Sequence, residues 1–396
     1  MATQGSALSS TPSGQMTNNQ IRDIVTRQAV TMRQTIYSAT VFPPSNNTIS
    51  LNTAVRNVGI IKRFVVEIVA TLTNNSGATA TLTDFGLSNL ISNVTLYDFN
   101  NNLRINTDGK HLTMVSGAKR KTPFGACGRW NDSAASGTNI SSMLNVPVAS
   151  WGVFQAPQTI AASASATVRA VFEIPVAYSD HDLRGAIYAG IVNSQMNPII
   201  TLNANAFTNG ADTTNAVYSG NAGVFTSAAV TVTQEYLDQI PSQGGKLLLP
   251  PTDLSTVYEL KNTTFQSITP NRDFPIPFTN FRSFLSAIMI WNNNGGNGRA
   301  FGTDVNYWSR QTANFTNIFQ YDPFYNALLT REIIGSELPA GAYLFSFRQQ
   351  PIITTQYGNQ QLNLNASTAS AGNYIIAYWE DMALQNTLQG SASLPG

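Results

Sequence analysis

The sequence is poor in charge. Only 11% of its 396 residues are Asp, Glu, Lys or Arg, against about a quarter in an ordinary soluble domain. The net charge is +1, so neither disorder nor strongly charge-driven binding is expected. Cysteine is almost absent. Cys127 stands alone, which excludes an intrachain disulfide. Stability must then come from packing and assembly. No apolar run approaches the roughly 18 residues that span a membrane as a helix. The longest candidate, 59–70, is broken by Lys62, Arg63 and Glu67. Residues 1–15 are polar and lack the apolar core of a signal peptide, so a Sec-secreted precursor is not expected.

Titratable chemistry is equally scarce. The chain has two histidines. His181 sits between Asp180 and Asp182, but neighbours in an extended segment point to opposite faces, so the trio reads as a polar loop. His111 reads as a loop or strand-edge residue. Cys127 reads as a small buried hydrophobe, with a reactive thiol beside Lys119-Arg120-Lys121 as the alternative. That basic run reads as a solvated loop or as a contact with an acidic neighbouring subunit. It is too small for firm nucleic-acid binding, and no sequence-specific nucleic-acid contact is expected. No phosphate loop and no Gly-x-Ser-x-Gly elbow occurs. The sequence therefore nominates no catalytic residue, no cofactor and no metal ligand, and it does not read as an enzyme.

What is present in quantity is neutral polarity, with about 40 Asn and about 40 Thr. The scarce charge is also polarised. Residues 1–135 carry 12 basic and 6 acidic groups, a net of +6; residues 136–396 carry 10 and 15, a net of −5.

A flexible arm, 1–17, is expected to precede a helix over 18–36. In that helix Ile21, Ile24, Val25, Met32 and Ile36 form one apolar stripe. Arg22, Arg27 and Arg33 edge it, and Asn18 or Asn19 is placed to cap its start. A basic amphipathic helix of this kind suits an anionic membrane surface. Ile21, Arg22, Ile24, Val25, Arg27, Met32 and Arg33 are therefore the candidate membrane-facing residues. The bland alternative is a helix packed on its own domain.

The remaining texture is β. Apolar residues alternate through 60–72. Further strands are expected at 94–99, 167–174, 198–203, 228–233, 284–291, 342–347, 352–357 and 374–379, rich in Val, Ile, Thr, Tyr and Phe. Many short strands with polar loops indicate sandwiches or jelly rolls. Pro241, Gly244, Gly245, Pro250 and Pro251 mark a break. The expected units are an arm and helix (1–40), a first β-domain (41–238), a linker (239–252), a second β-domain (253–384) and a tail (385–396). A faint echo pairs Thr83-Asp84-Phe85 and its following strand with Thr279-Asn280-Phe281 and its own, as a duplicated domain would leave.

Ordered words along the chain carry a resemblance. They include Asn57-Val58-Gly59-Ile60, Leu82-Thr83-Asp84-Phe85-Gly86, Tyr236-Leu237-Asp238-Gln239, Asp253-Leu254-Ser255-Thr256, Thr312-Ala313-Asn314-Phe315 and Gln356-Tyr357-Gly358-Asn359. In this set the sequence resembles the major capsid proteins of tectiviruses, tailless icosahedral phages with an internal membrane. The resemblance implies an all-β fold of two consecutive eight-stranded jelly rolls, with the N-terminal amphipathic helix at the base. It implies a homotrimer of pseudo-hexagonal outline, contacts with neighbouring trimers, vertex and minor capsid proteins, and viral membrane lipids. It places the chain in the virion shell, and in the host cytoplasm during assembly. Residues 1–17 match nothing in the family, and 119–149 are poorly matched. Two other readings fit the composition: a carbohydrate-binding or carbohydrate-cleaving jelly roll, and a receptor-binding virion spike.

Overall fold

The computed structural model describes residues 16–42, 47–83, 85–120, 156–157, 159–190, 195–204, 206–207, 215–220, 223–279, 281–293, 302–312, 317–334, 338–339, 341–354 and 360–384. Cys127 and Lys121 lie outside them.

Alternation builds the first sheet. In the strand Ile60–Asn74, Phe64, Val66, Ile68, Ala70 and Leu72 are wholly buried, and the residues between them are half-buried. One face of the strand therefore lines a core. The strands run in the order Val30–Val41, Gly223–Asp238, Ile60–Asn74, Ser165–Pro175. A facing sheet runs Thr48–Ser50, Asn197–Leu202, Ile91–Tyr97, Leu103–Thr107. Numbered along the chain, the eight strands are ordered 1-8-3-6 and 2-7-4-5, which is the jelly-roll arrangement.

The second half repeats this order strand for strand. One sheet runs Thr256–Gln266, Tyr374–Leu384, Ser283–Asn292, Ala342–Ser346. The other runs Asp273–Pro277, Gln360–Ala366, Val305–Thr312, Asn317–Tyr321. The fifth strand of each unit leads into a helix, Gly109–Arg120 in the first and Pro323–Ile334 in the second. The duplication expected from the sequence is real, but its register is different. The echo equated the strand after Thr83, which is the fourth of its unit, with the strand after Thr279, which is the third. The similarity of those words comes from abundant Asn and Thr.

The two units share a sheet. Leu103–Thr107 pairs in parallel with Thr256–Gln266 through Ile105 with Leu260 and Asn106 with Lys261. The result is one nine-stranded sheet crossing the domain boundary. One apolar core, including Phe64, Val66, Leu112, Tyr258, Leu260 and Tyr378, spans both units. A second, with Trp291, Trp308 and Trp379, fills the interior of the second jelly roll.

The single helix expected over 18–36 is two elements. A helix covers Asn18–Gln28, and a strand covers Val30–Val41. Thr17, not Asn18 or Asn19, caps the helix: its hydroxyl accepts from the Gln20 amide, and Gln20 Oε1 accepts from the Thr17 amide at 2.8 Å. The helix stops because Val30, Thr31, Thr35 and Ile36 are β-branched, and Val30, Thr31 and Thr35 pair with the last strand of the first jelly roll. Ile36 lies at a register shift between Thr35 and Tyr37, a bulge, and its four-residue spacing from Met32 fits one face of a strand as well as a helix. The first jelly roll accordingly begins at Val30, ahead of the expected boundary at 41.

Candidate functional site

With no catalytic constellation nominated, the geometry to describe is at the N-terminal helix and at the domain junction.

The N-terminal helix Asn18–Gln28 packs inward. Val25 is wholly buried with Ile60, Ala177, Leu183, Ala186 and Leu237 in a small core of its own, and Ile21 is packed against it. Asn18 donates to Asp253 Oδ1 at 2.9 Å and accepts from the Thr252 amide at 3.0 Å. Arg22 reaches Asp253 at 3.3 Å and Asp182 at 3.4 Å. The helix thus ties the first jelly roll to the start of the second.

The seven candidate residues therefore separate. Val25, Ile21 and Arg22 are engaged by their own chain, and Ile24 is half-buried. Met32 and Arg33 belong to the first strand, where Arg33 pairs with the buried Glu235 at 2.8 Å. Only Arg27 stands on the exposed face of the helix, paired with Asp23 at 2.8 Å. The apolar stripe read as a membrane face is corrected on this point: where it is helical, it is largely covered by protein.

At the junction, the helix Gly109–Arg120 is buried between the two jelly rolls. Asp108 accepts from the His111 amide at 3.0 Å, which starts the helix. Its other oxygen accepts from the Tyr378 hydroxyl of the second unit at 2.7 Å. His111 is buried against the Tyr378 ring and shares a 2.8 Å hydrogen bond with Thr107. It is a core residue of a helix, not the expected loop or strand edge. Burial pushes its pKa down to about 4; Asp108 and Glu380 oppose that shift, while Lys119 and Arg348 add to it.

Lys119 is likewise no solvated loop residue. Its ammonium donates to the Tyr178 carbonyl at 2.8 Å and stands 4.1 Å from the centre of the Tyr258 ring. It lies 3.8 Å from Glu380, which is wholly buried. Burial alone would raise the Glu380 carboxyl. Arg348 at 2.6 Å, Lys119, and hydroxyl donors from Ser286 and Tyr258 instead hold it near 2. Alongside, Arg104 pairs with Asp98 at 2.9 Å and donates to the Gly185 carbonyl at 2.7 Å. Gly185 has φ +91°, and a Cβ there would lie 2.5 Å from that of Tyr258. Only glycine fits so close an approach.

A cavity of 160 Å³ opens beside this junction, lined in part by Arg63, Lys119, Asp180 and His181. Its charges are spent on structure: Arg63 pairs with Glu235 at 2.6 Å and Asp180 with Lys62 at 3.2 Å. The acids flanking His181 are both in ion pairs, Asp182 with Arg184 at 2.6 Å. The sequence singles out His111 and Lys119 but carries no signal of their roles across the junction. Among the described residues the geometry joins two domains through a shared sheet and a buried polar network.

Comparison with known proteins agrees. The P3 major capsid protein N-terminal family matches residues 3–240, and the corresponding C-terminal family matches residues 255–394. The chain belongs to the P3 major capsid protein family. It is 35% identical over 388 residues to major capsid protein P3 of Enterobacteria phage PRD1, covering 95% of this chain and 93% of that protein. The fold extends further. The crystal structure of the STIV major capsid protein superposes with a TM-score of 0.62 at 12% identity, covering 92% of this chain and all of that one. The VP54 protein of PBCV-1, fitted into the Sputnik virophage, gives 0.52 at 14% identity, with 90% and 94% covered. Membership makes the chain a structural capsid protein of a virion shell that self-assembles, and not an enzyme. It decides against the carbohydrate-binding and spike readings.

Proposed function

We propose that the chain forms homotrimeric capsomers of pseudo-hexagonal outline, whose shell encloses a membrane and the genome. The observation that carries this is the duplication: two jelly rolls of identical strand order in one chain, so three chains supply six similar units. Neutral, Asn- and Thr-rich surfaces suit dense packing of identical copies, which large like charges would oppose. Neighbouring trimers, vertex proteins and minor capsid proteins complete the partners.

At the membrane side the exposed Arg27 meets anionic headgroups, with Met32 and Arg33 beside it on the first strand. The contact is electrostatic and does not insert, because Val25 and Ile21 are spent on the protein. The trimer is tested by imaging the purified chain in negative stain. Three-chain particles with a hexagonal outline are expected; particles of single chains at every concentration contradict the proposal.

A further inference from the structure

Two carboxyl groups face each other inside the second jelly roll, away from the junction network. In the ladder between Thr256–Gln266 and Tyr374–Leu384, Glu259 is the register partner of Asp381. On its other side Asp381 pairs with Phe284. Alternation sets Glu259 and Asp381 on the sheet face of Phe284 and Trp379, which lines the core of this unit. Both carboxyl residues are buried, Glu259 at 2% exposure and Asp381 at 3%. Their side chains are hydrogen-bonded to each other. Two carboxylates cannot make that bond, because each would only accept. One of the pair must carry a proton.

The surrounding cations decide which. Lys261 Nζ lies 3.0 Å from Glu259 Oε1, and Arg282 Nε donates to Glu259 Oε2 at 2.9 Å. Arg104 of the first jelly roll also acts on Glu259 across the junction. Asp381 has much less. Arg282 Nε stands 3.6 Å from its Oδ1, and that oxygen has no hydrogen-bond partner among the described residues. Thr354, packed alongside, is neutral and accepts from the Arg282 amide at 3.0 Å. Glu380 points to the opposite face, where Arg348, Ser286 and Tyr258 hold it. Glu259 is therefore the ionised partner and Asp381 the acid. Burial pushes the Asp381 carboxyl well above the usual carboxylate range, and Glu259 adds to the rise; Arg282 and Lys261 oppose it.

We infer that Glu259 and Asp381 share one proton, carried by Asp381, and that this proton clasps the closing strand of the chain to the opening strand of the second jelly roll at neutral pH and is given up in alkali. The pair lies three rungs from the end of the ladder, where Thr256 meets Leu384. With the proton in place the hydrogen bond is charge-assisted, the strong kind. Transfer of the proton to hydroxide leaves two like charges in a site closed to water. The clasp acts within one chain and does not depend on the trimer proposed above.

The unfolded chain releases the Asp381 proton near the ordinary value of 3.8, whereas the folded chain keeps it. The folded state thus binds more protons above that value. Stability from this site is complete at lower pH and falls as pH rises, until the folded group also ionises.

Infrared spectroscopy of the full chain reads the proton directly, because a protonated carboxyl absorbs apart from a carboxylate. Wild type at pH 7 is expected to show a protonated carboxyl band that alkali removes, and Asp381→Asn is expected to lack it. Glu259→Gln should lack it too, since Asp381 then ionises against Arg282 and Lys261. Urea unfolding gives a second readout. The ratio of unfolding constants, wild type over Asp381→Asn, should rise about tenfold per unit between about pH 5 and pH 7. The inference is overturned by the absence of the band in wild type, by its survival in either variant, or by a ratio that is flat with pH. If the variants fail to fold, the wild-type band at pH 7 decides alone.

Discussion

Lys119 of the first jelly roll holds its ammonium 3.8 Å from the carboxylate of Glu380 in the second, where Glu380 is wholly buried. The two residues lie in opposite halves of the chain and meet only because the Gly109–Arg120 helix crosses the junction. Arg348 supplies the shorter contact, 2.6 Å. Removing a partner from a buried ion pair leaves an uncompensated charge. Arg348→Met is therefore expected to cost about 3–5 kcal/mol in urea unfolding. Lys119→Met should cost less, because Arg348 remains. Adding Glu380→Gln to Arg348→Met should recover part of the loss. An Arg348→Met chain as stable as wild type would show that the network does not support the junction.

His111 sets an acid limit. Its folded pKa is held near 4, whereas the unfolded chain titrates near 6.5. Between those values the unfolded state binds more protons. Stability is therefore complete above about pH 6.5 and is lost as pH falls towards 4, by up to about 3 kcal/mol. Glu380 acts lower: its depressed pKa contributes stability above its ordinary value of 4.5, lost as pH falls towards 2. Urea midpoints at pH 7 and pH 4.5 should converge in His111→Asn relative to wild type. An equal drop in both chains would remove His111 from the account.

Gly185 makes the junction sensitive to a single methyl group. Its left-handed backbone and the 2.5 Å approach to Tyr258 make Gly185→Ala costly by about 2–5 kcal/mol. Gly77, whose added Cβ would meet nothing within 4 Å, is the control. Gly77→Ala should unfold within about 0.5 kcal/mol of wild type, as an ordinary surface change does.

Arg27 carries what remains of the basic face read from the sequence. Near an anionic surface each basic residue contributes about 1 kcal/mol, so Arg27→Gln should weaken sedimentation with phosphatidylserine vesicles about fivefold. The fold should not change, since Arg27 is exposed and pairs only with Asp23 among the described residues. Unaltered vesicle binding would separate this helix from the membrane.

The sequence made parts of this structure readable and hid others for physical reasons. Ile60–Asn74 was plain because one face is buried and the other is not, which prints a period of two. Val30–Val41 reads as a continued helix because the four-residue step from Met32 to Ile36 is common to a helical stripe and to one face of a strand. The Gly109–Arg120 helix left no amphipathic trace because it is buried on all sides: Leu112, Met114, Val115 and Ala118 are within 6% of full burial, as are His111 and Thr113. The true internal repeat, Asp108 with Asp322, rests on a helix-starting aspartate between dissimilar neighbours, and a search for shared words passes over it. Lys119 stands out in the sequence only as part of a basic run, and neither it nor Glu380 has a local pattern that reveals its role, which exists only across the junction.

This chain is a self-assembling shell subunit built from paired jelly rolls. Sedimentation velocity of the purified wild-type chain over a range of concentrations tests it most directly. A persistent species of three chains that feeds larger assemblies is expected. A single-chain species that remains single up to high concentration would contradict it.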